Sequence, residues 1–105
     1  MPETLTLEQQ VIEVIKTIYD PEIPVNIYDL GLIYQVEADE ATGNVFIRMT
    51  LTTPNCPAAE TLPGQVEREV ADIPDVNEVE LKLVFDPPFT PDMMSEEARL
   101  MLGFL

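Results

Sequence analysis

The stretch NVFIRMTLT, residues 44–52, has the period-two alternation of a β-strand. The residues that fall on one face are all apolar: Val45, Ile47, Met49 and Leu51. The residues that fall on the other face are mixed: Phe46, Arg48, Thr50 and Thr52. We therefore predict a strand here whose two faces meet different surroundings.

A helix is predicted to follow this strand, with apolar residues at one-turn spacing: Leu62, Val66, Val70 and Ile73. Pro74 ends it, but two starts are open. Pro57 suits the first helical position, which places Cys56 at the N-cap. Pro63 would then lie inside the second turn, where proline is costly. A start near Thr61 avoids that cost by placing Pro63 in the first turn.

A second alternating segment, VNEVELKLVFD, follows at residues 76–86. Its apolar residues are predicted to point inward: Val79, Leu81, Leu83 and Phe85. Its charged residues are predicted to point outward: Glu78, Glu80 and Lys82. Two strands joined through a helix form a crossover unit, so they are expected to run parallel.

The chain before residue 44 supplies another strand and a helix. LIYQVEAD, residues 32–39, is joined to the next strand by a short polar turn, which favours an antiparallel hairpin. A helix is predicted over residues 7–19, capped by Thr6 with Gln9 and ended before Pro21. Ser95 is predicted to cap a short last helix.

The predicted fold class is α+β, with two layers and the element order α-β-β-α-β-α. The three strands form a small mixed sheet with helices on one face. A length of 105 residues predicts a single domain, 1–105. Its core is expected to span about 7–86, and residues 87–105 form a C-terminal tail.

Charge is the most distinctive bulk property, since 20 acidic residues oppose 5 basic ones for a net charge of −15. Such a surface repels phosphate backbones, so nucleic-acid binding is not expected. No apolar run is long enough to cross a bilayer, and residues 1–10 lack the pattern of a signal peptide. We expect a cytoplasmic protein without membrane association. The acidity fits either an ordinary solvated surface or a saline habitat.

The chain has one cysteine and no histidine. One cysteine excludes a disulfide within the chain, and the lack of histidine excludes Ser–His and Cys–His catalysis. One thiolate also falls short of the four that ordinary iron–sulfur clusters require. The chain alone therefore cannot hold a four-cysteine cluster.

Cys56 lies in the predicted turn between a strand and a helix, where α/β units collect ligands. The amides of a helix N-terminus would lower the pKa of its thiol and favour a reactive, metal-competent thiolate. The alternative is that Cys56 is a small buried apolar residue, as free cysteines often are. Position alone favours neither reading.

Three acids lie in the proline-containing loop DPEIPVNIYDLG, residues 20–31: Asp20, Glu22 and Asp29. The apolar residues of this loop suggest that it packs on the body and presents carboxylates near the cysteine. The alternative is turn chemistry, with Asp29 capping the turn into Gly31. Thr50 and Thr52 are good strand residues that could also hydrogen-bond a group bound near Cys56.

Three segments, YDPEIPVNIYDLGLIY, MTLTTPNCP and FDPPFTPDMMSEEARLMLG, together resemble the SufT/PaaD-like family of iron–sulfur maturation proteins. The last segment resembles the SufT branch. The resemblance covers about residues 11–104 and implies a fold of the iron–sulfur-cluster-assembly-domain type. It maps the family's reactive cysteine onto Cys56. It maps the acidic motif onto Asp20, Pro21 and Glu22, and the threonine motif onto Thr50 and Thr52. The cysteine-rich C-terminal part of PaaD is absent from this sequence.

The resemblance implies an adaptor or transient carrier that helps the SUF machinery deliver clusters to client apoproteins. Its implied partners are SUF proteins and apo iron–sulfur clients, and a homodimer is left open. No stable cofactor is expected; iron or a cluster would bind transiently at Cys56. An enzyme is not expected, because a thiol enzyme would lack a usual base and a resolving thiol. The alternative is an interaction module with a structural cysteine, which binds a partner or dimerises through the apolar tail MMSEEARLMLGFL.

Overall fold

The computed structural model describes residues 5–19, 24–51 and 58–103. The elements are α1 (Leu7–Ile15), β1 (Ile33–Asp39), β2 (Asn44–Met49), α2 (Ala58–Ala71), β3 (Glu78–Leu83), a 3₁₀ turn (Pro91–Met93) and α3 (Glu96–Leu102). This order confirms the predicted α-β-β-α-β-α arrangement and the α+β class.

The sheet has the strand order β1-β2-β3, with β2 in the centre. β2 runs antiparallel to β1 and pairs Ile47 with Val36. It runs parallel to β3 and pairs Ile47 with Leu81. The mixed sheet is therefore confirmed, and the crossover through α2 accounts for its parallel half.

The core lies between one face of the sheet and helices α1 and α2. The predicted apolar side of β2 is buried, as are helix residues of the same core cluster: Leu7, Val11, Ile15, Leu62, Val66 and Val70. The loop after α1 contributes Val25, Ile27 and Leu30 to the same core, which confirms that it packs on the body. The result is a two-layer domain in which α1 and α2 cover one face of the sheet.

Both predicted helix caps are present. The Thr6 hydroxyl accepts from the Gln9 amide at 3.1 Å, and the Gln9 side chain accepts from the Thr6 amide at 2.9 Å. The Ser95 hydroxyl accepts from the Ala98 amide at 3.1 Å. Each cap satisfies amide donors that the first helical turn leaves unpaired.

The first helix is shorter than predicted. It ends at Ile15 rather than near residue 19, because Thr17 and Ile18 donate to carbonyls only three residues back. Tyr19 then pairs with Asn26 in an isolated antiparallel bridge. The apolar spacing continues through Ile18 because that side chain is buried, although its backbone has left the helix.

The prediction that Phe85 points inward is wrong. β3 ends at Leu83, and Phe85 is 41% exposed. The backbone of Val84 still donates to Met49 at 2.8 Å, but the chain then turns into the segment that contains Pro87. The alternation of the sequence thus continues past the last paired residue of the strand.

The second helix begins at Ala58 and contains Pro63. The start near Thr61 is therefore wrong, and the helix accepts the proline within its second turn. Its sixth residue lacks an amide donor, and this cost is offset by burial of Leu62, Val66 and Val70.

Gly64→Ala is expected to stabilise the domain by about 0.5–1 kcal/mol, since glycine is a poor residue within a helix. A Cβ at Gly64 would meet only a flexible end of Arg68, at 3.8 Å. Urea unfolding monitored by circular dichroism measures the change. A loss of stability would show that the helix around Pro63 does not tolerate a regular alanine.

Candidate functional site

The predicted site residues divide into two groups. Asp20, Glu22, Thr52 and Cys56 lie outside the described residues, so their predicted meeting stays a prediction. Asp29 and Thr50 are described. Asp29 is bonded to the segment after β3, and Thr50 lies beside Tyr34, which is itself bonded to that segment. The structure therefore shows how the surroundings of the site are built.

Asp29 belongs to a hydrogen-bonded turn that begins at Asn26. Its amide and one carboxylate oxygen both bond the Asn26 side chain at 2.9 Å. Asn26 is thus the residue that caps this turn, because its Oδ1 accepts from the Asp29 amide while the Asp29 carboxylate accepts from its Nδ2. This differs from the prediction that Asp29 itself caps the turn into Gly31. The Asp29 carbonyl also accepts from the Ser95 amide at 2.7 Å, which ties the loop to the C-terminal tail.

Gly31 makes a second tie to the tail. Its φ of +91° is one that residues with a Cβ rarely adopt. The backbone of Met93 passes so close that a Cβ on Gly31 would lie 2.7 Å from the Met93 carbonyl carbon. Glycine is required here both by its own conformation and by the crossing segment.

Thr50 is fully buried just beyond the end of β2, although its face of the strand is exposed at Arg48. Its amide donates to Leu32 at 2.8 Å. Within the described part of the chain, its hydroxyl oxygen has no hydrogen-bond partner of normal length. It nevertheless lies close enough to the Tyr34 hydroxyl to lower the pKa of that group.

Tyr34 connects the sheet to the tail. It occupies a bulge in β1, where the pairing with β2 shifts between Ile33 and Gln35. Its hydroxyl donates to the Pro87 carbonyl at 2.8 Å and lies 3.4 Å from Met93 Sδ. Burial raises the pKa of Tyr34, an effect larger than the lowering by Thr50.

A groove of about 670 Å³ lies where the loop, β1 and the tail converge. Its lining combines aromatic and apolar groups with charged ones, among them Tyr28, Tyr34, Arg48, Asp86 and Met93. The described lining supplies hydrogen-bonding groups, the Arg48 guanidinium and apolar surface. We name it the tail groove.

Sequence reasoning missed Tyr34 and the tail groove. Tyr34 looked like an ordinary strand residue, and its partner Pro87 is 53 positions away. The only signal in the sequence is the proline-rich segment PPFTPDMM shortly after β3, which predicts an extended chain but not the surface on which it packs. Nothing in its periodicity indicates that it returns to β1.

Within residues 5–19, 24–51 and 58–103, no three His, Cys, Asp or Glu side chains are grouped so that they could hold a metal ion. None of the helices there is long and apolar enough to span a membrane.

Tyr34→Phe is expected to cost about 1 kcal/mol, the net value of one hydrogen bond. The raised pKa also predicts a pH effect. The folded state holds this proton more tightly, so the associated stability is present below pH about 10 and lost as pH rises through the folded-state pKa. Above that pH, the unfolding free energy of the wild type should fall more steeply than that of the variant. Tyr19→Phe, at a residue 56% exposed, is the control; equal slopes for all three proteins would contradict the prediction.

Comparison with known proteins gives consistent matches over most of the chain. A family model described as iron-sulfur cluster assembly protein matches residues 8–81. The chain is 50% identical over 103 residues to an Fe-S protein maturation auxiliary factor of Porphyromonas gingivalis, covering 98% of this chain and 97% of the relative. It is 40% identical over 86 residues to the Fe-S protein maturation auxiliary factor SufT of Staphylococcus aureus, covering 82% and 97%.

The fold has a solved counterpart. The crystal structure of a domain of unknown function, DUF59, from Bacillus anthracis superposes with a TM-score of 0.86 at 36% identity, covering 94% of this chain and 93% of that one. The family model spans residues 8–81, which run from the first turn of α1 into β3. The chain therefore belongs to the iron-sulfur cluster assembly protein family, together with the Fe-S protein maturation auxiliary factors.

Proposed function

We propose that this protein is an auxiliary factor in iron–sulfur protein maturation, which acts as an adaptor or transient carrier and helps the SUF machinery deliver clusters to client apoproteins. The observation that carries the proposal is the family match over residues 8–81, which spans both the loop of Asp29 and the connection that contains Cys56. Its partners would be SUF proteins and apo iron–sulfur clients, and its setting the cytoplasm.

Iron or a cluster would be cargo rather than a resident cofactor. The chain offers one thiol and no histidine, whereas a four-cysteine cluster needs four thiolates. Two copies of the chain would still supply only two thiolates. Further ligands would have to come from a partner, a client or a small thiol, so holding the cargo would be brief.

Cys56 is the residue proposed to contact cargo or client. The start of α2 at Ala58 supports this proposal, because a helix N-terminus favours a thiolate close to it. Asp20, Glu22 and Thr52 are proposed as supporting groups, together with Asp29 and Thr50. No classical catalysis is proposed, since the chain lacks histidine and a second cysteine.

Complementation in the native host tests the proposal. Deletion of the gene should lower the specific activity of iron–sulfur enzymes but not that of metal-free enzymes. Wild type and Glu13→Ala, an exposed helix variant, should restore it. Cys56→Ala should restore less than a tenth, while its circular dichroism matches the wild type. Full rescue by Cys56→Ala would remove the cysteine from the proposal, and no effect of the deletion would overturn the function.

The interaction module without metal remains a second candidate, and α3 favours it. Met94, before this helix, and Ala98 and Leu102, within it, pack on the core, whereas Leu100 is 62% and Met101 67% exposed. The tail thus closes its own domain and still presents two apolar side chains. Alkylation of the thiol at neutral pH separates the candidates: protection until unfolding favours a structural cysteine, and a rate like that of an unfolded cysteine favours a reactive one.

A further inference from the structure

The sheet face opposite α1 and α2 is divided into two parts. Alternation places Phe46 and Arg48 of β2 on this face, opposite the buried Val45 and Ile47. At Arg48 the face borders the tail groove, whose lining includes Pro87 and Met93 of the tail. Beyond Phe46 the face opens into a second groove of about 710 Å³. We call this second part the acidic groove.

The acidic groove has a regular arrangement of charges. Phe46 pairs with Glu37 on one side and Glu80 on the other. In the next row, Asn44 pairs with Asp39 and Glu78. The four carboxylates therefore lie at the corners of a rectangle, about 7 Å long along the strands and about 10 Å wide across them. The Phe46 ring lies on the central strand, between Glu37 and Glu80.

The basic residues of this face do not neutralise the carboxylates. Arg48 and Lys82 are cross-strand partners of each other, so two like charges stand side by side. Within the described ranges, the ion pairs are those of Lys16 with Glu13 and Arg99 with Asp92, both elsewhere. The Arg48 guanidinium instead lies 5.8 Å from the centre of the Phe46 ring. Among the described residues, the acidic and basic side chains of this face therefore form no ion pairs with each other. The repulsion between the adjacent Arg48 and Lys82 costs some stability.

We propose that the acidic groove docks a basic segment of a partner protein. Charge complementarity identifies the occupant: lysine or arginine side chains 7–10 Å apart would reach the carboxylates, and one of them could stack on Phe46. The alternating side chains of an extended segment have about this spacing. A second copy of the chain fits less well, since each copy carries a net charge of −15. This docking is independent of the proposed role of Cys56.

A synthetic peptide of alternating lysine and alanine, labelled with a fluorophore, is the probe, and anisotropy with the full chain measures its affinity. Glu37→Gln with Glu80→Gln should weaken binding about fivefold, the value of two exposed ion pairs. Glu67→Gln with Glu97→Gln removes the same charge from exposed helix positions and should change affinity less than twofold. Phe46→Leu should weaken binding about threefold.

Two results would overturn the proposal. If the two double variants lost affinity equally, the peptide would be binding in response to the net charge of the protein and not to this groove. Sedimentation that shows a dimer dissociated by Glu37→Gln with Glu80→Gln would show that the face is covered by a second copy. Circular dichroism and the urea midpoint of each variant establish that the loss of binding occurs in folded protein.

Discussion

Gly31→Ala is expected to destabilise the domain by about 3 kcal/mol. The left-handed conformation at φ +91° costs a residue with a Cβ roughly 1–2 kcal/mol. The new methyl group would also run into the Met93 backbone, and such overpacking costs a further ~1–3 kcal/mol. Urea unfolding at neutral pH measures the sum, which is a large share of the ~5–15 kcal/mol of a typical domain.

Gly103→Ala is the matched control. Gly103 has φ +81°, close to that of Gly31, but a Cβ there would meet nothing within 4 Å. It should cost only the conformational part, about 1 kcal/mol. The difference between the two variants isolates the clash with the tail. Similar costs at both positions would mean that the tail moves away from Gly31 without penalty.

Hydrogen exchange locates the damage. The Ser95 amide is bonded to the Asp29 carbonyl at 2.7 Å, and it should exchange faster in Gly31→Ala than in Gly103→Ala. Amides at the centre of β2 should exchange alike when corrected for global stability. This pattern would show that Gly31 serves to seat the tail and not to form the strand next to it.

The sequence predicts the sheet well because local periodicity encodes it. The alternation of residues 44–52 and the stripe through Leu62 and Val66 each require one geometry to bury their apolar side, and the crossover rule then fixes the direction of β3. Ile18 and Phe85 show the limit. Each continues the apolar spacing of an element that has already ended, α1 at Ile15 and β3 at Leu83. Ile18 is nevertheless buried and Phe85 is exposed, so apolar spacing alone does not locate the end of an element.

The candidate site was predicted less completely, for a physical reason. The sequence predicts a local side-chain turn at this loop, but the capping side chain is Asn26 and not Asp29. The contacts of Tyr34 with Pro87 and of Gly31 with Met93 join segments about fifty or more positions apart, and no periodicity reports them. Thr50 is buried and Arg48 is exposed although both lie on the sheet face opposite α1 and α2, so this face is open at Arg48 and covered at the end of β2.

Ile47→Ala should have the largest effect of any core truncation in the sheet, about 3–4 kcal/mol. Ile47 is fully buried at the middle of the central strand, between Val36 and Leu81. Truncation removes its transfer free energy and leaves a cavity that paired strands on both sides cannot close. Ile47→Val should cost about 1 kcal/mol, and Val79→Ala, half-buried on the edge strand β3, should fall between the two. Urea unfolding measures all three costs, provided that the slope of the unfolding free energy against urea concentration stays that of the wild type. A cost for Val79→Ala equal to that of Ile47→Ala would contradict the assignment of β2 as the centre of the core, because an edge strand can relax toward a cavity and a strand hydrogen-bonded on both sides cannot.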